Sequence, residues 1–181
     1  MIANFVSDLV RTEFDNNCDI ALMNCGSFRS NAILPKGDFT LKMVYDLIPA
    51  AAKIVTTRMP GDIVLQLLEN SVSQWPALDG RFATFSGLKY SFDPEMPAGS
   101  RVHSVKTLTG EPFDLSREAS YTLVAKHFIA LGRDGYHAFQ DPAVEFLSDL
   151  DTSPNLQDIV VGAFERTSPD YKIVEKREAI R

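Results

Sequence analysis

The feature that most constrains the fold is a short uninterrupted apolar run, Ile20-Ala21-Leu22-Met23, which stops at Asn24-Cys25-Gly26-Ser27-Phe28-Arg29. An apolar run this short, bounded by turn formers, reads as a buried strand over 19–23, because a helix needs about 10–12 residues. An amphipathic helix precedes it. Ile2, Phe5, Val6, Leu9, Val10 and Phe14 share one face over 2–16, and Asn16-Asn17 is the expected stop. That helix begins at once, with no capping residue ahead of it, as expected of a chain cut from something longer.

Downstream, residues 24–39 are rich in Asn, Ser, Gly and Pro and read as a loop. Thr40 is placed to cap a helix through Leu41, Val44, Tyr45, Leu47 and Ile48, which Pro49 ends. Ala52 to Met59 is β-branched and weakly alternating, which predicts a strand. Pro60-Gly61-Asp62 opens a helix in which Ile63, Val64, Leu67, Leu68 and Val72 keep the helical period as far as Trp75-Pro76. From Phe82 the texture changes to short strands: Phe82 to Phe85, Leu88 to Phe92, Arg101 to Thr107 and Tyr121 to Ala125. Gly87, Asp93-Pro94, Thr109-Gly110 and Asp114 punctuate them, and Asp93 to Ser100 is a connecting loop. A last helix is predicted from Pro154 to Arg166, with Ser153 as its cap and Leu156, Ile159, Val160, Ala163 and Phe164 as its face. Ser168-Pro169 stops it, and a charged tail runs from Tyr171 to Arg181. Helices and strands alternate without a regular βαβ repeat, so the fold class is α+β, in a single domain over 1–181.

Composition narrows the partners. With 181 residues, 45% of them apolar and 23% charged, the chain can bury an ordinary globular core. A net charge of -6 argues against nucleic acid or an anionic membrane surface as partner, because both need a basic face. One or two local arginines can still hold a small anion. No apolar stretch is long enough to insert in a membrane, and the first residues lack the pattern of a signal peptide. Nothing in the sequence names a compartment.

Catalytic patterns are missing. His103, His127 and His137 are isolated from one another and from any carboxylate cluster, so no metal set is expected among them. Gly-x-Ser-x-Gly, a P-loop and Gly-x-Gly-x-x-Gly are all absent. Cys18 and Cys25 read as partly buried free thiols, and no histidine stands near Cys25 in sequence to activate it.

What remains is a pair of recognition segments. Asn24 to Arg29 places an amide, a Gly-containing turn and a guanidinium at a strand end. Gly132-Arg133-Asp134-Gly135-Tyr136 places a carboxylate in a glycine turn six residues after Phe128. Each alone reads better as an ordinary turn with core aromatics. Together they offer a flat apolar face, a carboxylate suited to two vicinal hydroxyls, and an arginine for a phosphate.

In this order the segments resemble the C-terminal, substrate-binding domain of the 5'-nucleotidase and UDP-sugar hydrolase family. The similarity also takes in Asn4, Gly37-Asp38-Phe39-Thr40, Asp46-Leu47-Ile48-Pro49, Arg81-Phe82, Ser86-Gly87-Leu88, Phe92-Asp93-Pro94 and Pro97 to Val102, from Ile2 to about Phe164. A faint echo follows at Glu178-Ala179-Ile180-Arg181. The resemblance implies an α+β fold with mixed sheet layers flanked by helices. It implies that Asn24 meets the base, Arg29 the ribose or phosphate side, Phe128 stacks on the base and Asp134 takes the ribose hydroxyls. Gly26, Ser27, Arg133 and Tyr136 are further candidates, and no catalytic or metal-binding residue is expected in this chain.

The same resemblance implies half of a phosphohydrolase of nucleotide catabolism. A nucleotide or nucleotide-like molecule would be the ligand. The partner would be an N-terminal metallophosphoesterase domain of the same protein, carrying a divalent metal pair such as Zn or Mn. The alternative is a non-catalytic nucleotide- or metabolite-binding module that acts alone. The chain departs from the family in its first loop, where Cys25 and Ser27 replace glycines, and in its last, where Arg133 does. After the second helix the family's Leu-Pro-Phe supplies a second stacking ring, and here the segment is Ile48-Pro49-Ala50. Three arrangements follow: a base held on one face, Tyr45 or Tyr136 as a substitute, or a substrate that is not a nucleoside phosphate.

Overall fold

The apolar run from Ile20 to Met23 lies in the middle of a sheet. In the structure, a computed structural model that describes residues 2–14, 18–29, 33, 40–77 and 79–166, Ile20–Asn24 forms strand β1, and all five of its residues are buried. Its side chains alternate between two cores. Ile20 and Leu22 enter one, while Ala21 and Met23 enter the other. β6 (Ser120–Lys126) does the same, with Leu123 and Ala125 on the first side and Val124 on the second. A strand buried on both faces reads as a near-continuous apolar run, which is why Ile20 to Met23 shows no alternation.

The remaining elements complete the layers. α1 (Ile2–Phe14), α2 (Leu41–Leu47) and α5 (Leu156–Arg166) cover one face, and α3 (Gly61–Val72) covers the other. With β2 (Ile54–Pro60), β3 (Ala83–Ser86) and β7 (Glu145–Phe146), the main sheet has the order β3-β1-β6-β2-β7. β1 and β6 are parallel, and the other pairings are antiparallel. β4 (Leu88–Phe92) and β5 (Val102–Thr107) form a separate two-stranded sheet. α4 (His127–Ala130) follows β6 directly. The α+β class and the mixed sheet flanked by helices are therefore what the chain adopts.

Several boundaries differ from the sequence reading. Thr40 does cap α2, its Oγ1 accepting from the Met43 N–H at 3.3 Å. Ser153 does not cap α5. Its hydroxyl donates to Asp149 O instead, and the helix begins at Leu156 rather than Pro154. The reason is that 154–156 runs along the start of β2. Ile54 N–H donates to Pro154 O, Leu156 N–H donates to Ala52 O, and Lys53 bridges Asn155. Phe82, expected in a strand, precedes β3, Arg101 precedes β5, and β2 starts at Ile54 rather than Ala52. β6 extends to Lys126, one residue past the expected end. Two short elements have no counterpart in the sequence reading: α4, and the two-residue β7, which the Arg58–Glu145 ion pair pins at 3.0 Å. The Asn16-Asn17 stop, most of the 24–39 loop with Gly37-Asp38-Phe39, and the tail from Tyr171 lie outside the described residues.

Gly87 is where the chain passes from β3 in one sheet to β4 in the other. Its φ is +101°, and a Cβ there would sit 2.0 Å from Asp19 O, immediately before β1. Both the backbone conformation and the contact exclude a side chain. Gly87→Ala is expected to lower unfolding free energy by about 3 kcal/mol or more, read from urea unfolding. A loss within about 0.5 kcal/mol would show that this crossover is not as tight as described.

Candidate functional site

Parallel pairing of β1 with β6 brings their carboxyl ends, Asn24 and Lys126, to one edge of the sheet. Ligands of open sheets bind outside such strand ends. After β1 the chain makes a 3-10 turn, Cys25–Ser27, which packs on the 79–82 loop. Gly26 N–H donates to Gly80 O at 2.9 Å, and a Cβ on Gly26 would lie 3.0 Å from the Gly80 Cα. After β6 come α4 and a second 3-10 turn, Arg133–Gly135, entered through Gly132 at φ 81°.

Asp134 is the one non-glycine residue at positive φ among those described, at 53°. Asp tolerates this left-handed region better than most residues, but it still needs support. Two side chains hold it. Asn70, on α3, donates to the Asp134 carbonyl at 3.1 Å, and Asn24 Nδ2 donates to Asp134 Oδ2 at 2.7 Å. Asn24 is 2% exposed, and its amide is fully engaged within the protein. Besides Asp134, Nδ2 donates to Gly80 O at 3.3 Å, while Oδ1 accepts the Ser27 hydroxyl. A carboxylate can only accept, so it fixes which end of the amide faces it. Asp134 Oδ1 has no partner among the described residues.

Lys126 completes the chain of bonds. Its Nζ donates to Ser27 Oγ at 2.9 Å and stands 5.8 Å from the centre of the Phe128 ring. Burial lowers the Lys126 pKa, the Asp134 carboxylate raises it, and Arg29 lowers it, with a net downward shift. Because the Ser27 hydroxyl already donates to Asn24, its oxygen can only accept from Lys126. The pair is therefore not arranged as a nucleophile and base. Burial also raises the Cys25 thiol above its ordinary value, against thiolate chemistry there.

The structure brings Asn24, Gly26, Ser27 and Asp134 together, with Phe128 joined to them through Lys126. Phe128 is 47% exposed, an aromatic surface 5.8 Å from the Lys126 ammonium. Arg29 is exposed, its Nη1 donating to Gly26 O at 2.6 Å and its backbone N–H to Leu47 O at 2.8 Å. Arg133 is exposed on the Asp134 turn. Tyr136 lies elsewhere in function: it is fully buried, and its hydroxyl donates to Arg81 O at 2.6 Å. It offers no face to a ligand, whereas Tyr45 on α2 is half-exposed. Sequence reasoning missed Lys126, Asn70 and Gly80. Only Lys126 carried a signal, as a lysine directly after an apolar strand and two residues before Phe128.

Asn24→Leu removes both ends of the amide and leaves the Asp134 carboxylate and the Ser27 hydroxyl without this partner. It is expected to cost about 2 kcal/mol in urea unfolding. Unchanged stability would mean that the Asn24 contacts do not hold the Asp134 turn.

Comparison with known proteins supplies independent evidence. The family profile described as 5'-nucleotidase, C-terminal domain matches residues 1–141. The snake venom 5'-nucleotidase of Crotalus adamanteus is 28% identical over 170 residues, covering 90% of this chain and 28% of that protein. The trifunctional nucleotide phosphoesterase of Bacillus subtilis is 26% identical over 144 residues, 77% of this chain and 10% of that protein. The crystal structure of a 5'-nucleotidase precursor from Thermus thermophilus superposes with a TM-score of 0.80 at 35% identity, covering 91% of this chain and 32% of that one. The chain thus spans no more than 32% of the length of any of these three.

Proposed function

The chain belongs to the 5'-nucleotidase C-terminal domain family, and on that premise we propose that it is the nucleotide-recognition half of a metal-dependent phosphohydrolase. The observation that carries this reading is the Asp134 turn. One carboxylate oxygen is tied down by Asn24 while the other is left without a partner among the described residues, and Lys126, whose pKa the Asp134 carboxylate raises against the larger effect of burial, lies 5.8 Å from the exposed ring of Phe128. A carboxylate so fixed accepts from two vicinal hydroxyls, and the ring stacks on a base. Arg29, within electrostatic reach of Lys126, faces the ribose or phosphate side, with Arg133 on the same turn as Asp134.

Asn24 takes a different role from the base contact that family resemblance implies. With both amide ends engaged inside the protein, it orients Asp134 rather than reading a base. Ser27 and Gly26 shape the turn around it. Tyr136 supports the loop from within the core. Ala50 offers no second ring, so Phe128 holds the base from one face.

Among the described residues no three His, Cys, Asp or Glu side chains are grouped to hold a metal. In the proposed reading the metal pair is carried by the N-terminal metallophosphoesterase domain that would be this chain's partner, and binding and orientation are the work of the chain itself.

Titration of the chain with adenosine, UMP and UDP-glucose, followed by chemical-shift changes up to millimolar ligand, tests the reading. Binding is expected for at least one. Phe128→Ala should weaken it by about 1–3 kcal/mol, and Asp134→Ala should abolish the ribose-dependent part. No binding, or binding indifferent to both substitutions, overturns the assignment. The purified chain alone is also expected to release no phosphate from AMP. Turnover that survives a chelator would place chemistry on this chain after all.

A further inference from the structure

Lys126 is a polar group that the recognition roles above leave without a task. Its position is specific: it ends β6, lies between the Asn24 loop and the Asp134 turn, and sits over the Phe128 ring. An ammonium has three N–H donors and no acceptor. One of the three goes to Ser27 Oγ, and no other acceptor among the described residues binds Lys126. A half-buried ammonium with one neutral partner gains from an acceptor that a ligand brings.

The neighbouring groups sharpen this. An amide such as Asn24 could read either a donor or an acceptor, but both its ends are engaged inside the protein. The Ser27 hydroxyl donates to Asn24. Apart from Asp134 Oδ1, which the ribose hydroxyls take in the reading above, the polar group left open near the ring is the Lys126 ammonium, a donor only. The ammonium lies over the ring, 5.8 Å from its centre, so a flat ligand laid on that face would come close to it.

We propose that Lys126 is a specificity-determining residue: its ammonium donates to a carbonyl oxygen on the edge of the base, so the site favours oxo bases over amino bases. Uracil and hypoxanthine present such a carbonyl where cytosine and adenine present an amino group. Facing Lys126, an amino group would set donor against donor and leave both unpaired. The inference rests on the nucleotide-recognition reading above.

Matched nucleosides test it without the phosphate. Uridine against cytidine, and inosine against adenosine, differ at the oxo or amino group, and their dissociation constants for the full chain can be measured by chemical-shift titration. The oxo member of each pair is expected to bind about tenfold tighter. Lys126→Met should weaken uridine and inosine to the level of their amino partners. Lys126→Arg, which keeps a donor-only group, should retain the preference and guards against a folding artefact. Asp134→Asn should weaken all four. Equal binding within each pair, with dependence on Asp134 intact, overturns the role of Lys126 and leaves the nucleotide reading standing. A preference that survives Lys126→Met also overturns it. If none of the four binds in an Asp134-dependent way, the nucleotide reading itself fails, and this inference with it.

Discussion

The parallel contact between β1 and β6 is the constraint on which the rest depends. Antiparallel neighbours would send the ends of these strands to opposite edges of the sheet. Parallel pairing, with Leu22 in register with Ala125, sets Asn24 and Lys126 on the same edge although they are far apart in the chain. The pairing also requires both faces of the two strands to be covered, and α3 on one side and α1, α2 and α5 on the other supply that cover. Burial of β1 and β6 and assembly of the site are thus consequences of a single topological choice.

From that edge a continuous line of hydrogen bonds runs from a cation to an anion: Lys126 to Ser27, Ser27 to Asn24, and Asn24 to Asp134. Direction is set from both ends, because the ammonium can only donate and the carboxylate can only accept. The two neutral groups between them carry that polarity without a net charge of their own. The line also explains why a left-handed Asp134 is tolerated. Its backbone strain, of order 1–3 kcal/mol for such residues, is offset by charge-assisted bonding at Oδ2 and by Asn70 at the carbonyl.

Much of this is legible in the sequence, and what is not has identifiable causes. The helical faces of α1 and α3 follow from periodicity, and the Thr40 cap from residue type, because both are local signals. The start of α5 is misleading because Ser153-Pro154 is a strong local cap signal that a non-local interaction overrides, the backbone of 154–156 being held along β2. β7 has two residues and therefore no period. In the site, Asn24 and Asp134 are visible as residues of interest, but their contact is not, since sequence carries no direct record of a parallel pairing across so long a separation. Lys126 escapes notice because the apolar pattern of its strand ends one residue earlier, at Ala125. Tyr136 illustrates the converse. An aromatic beside a glycine turn looks like a platform, yet its hydroxyl finds Arg81 O and the ring fills the core.

The overall charge of -6 and the character of the site point in opposite directions, because the two act over different distances. Net charge governs long-range steering, whereas recognition at contact depends on the few groups within a Debye length, roughly 8 Å at physiological salt. Here burial loosens the hold of Lys126 on its proton, the Asp134 carboxylate tightens it, and Arg29 loosens it further. Such an arrangement suits a ligand that is anionic or acceptor-rich on one side and carries hydroxyls on the other. The nucleotide proposed as ligand has both. An acidic chain bearing this local pair of cations should therefore select among ligands at contact, by the geometry of donors and acceptors, more than by attraction from a distance.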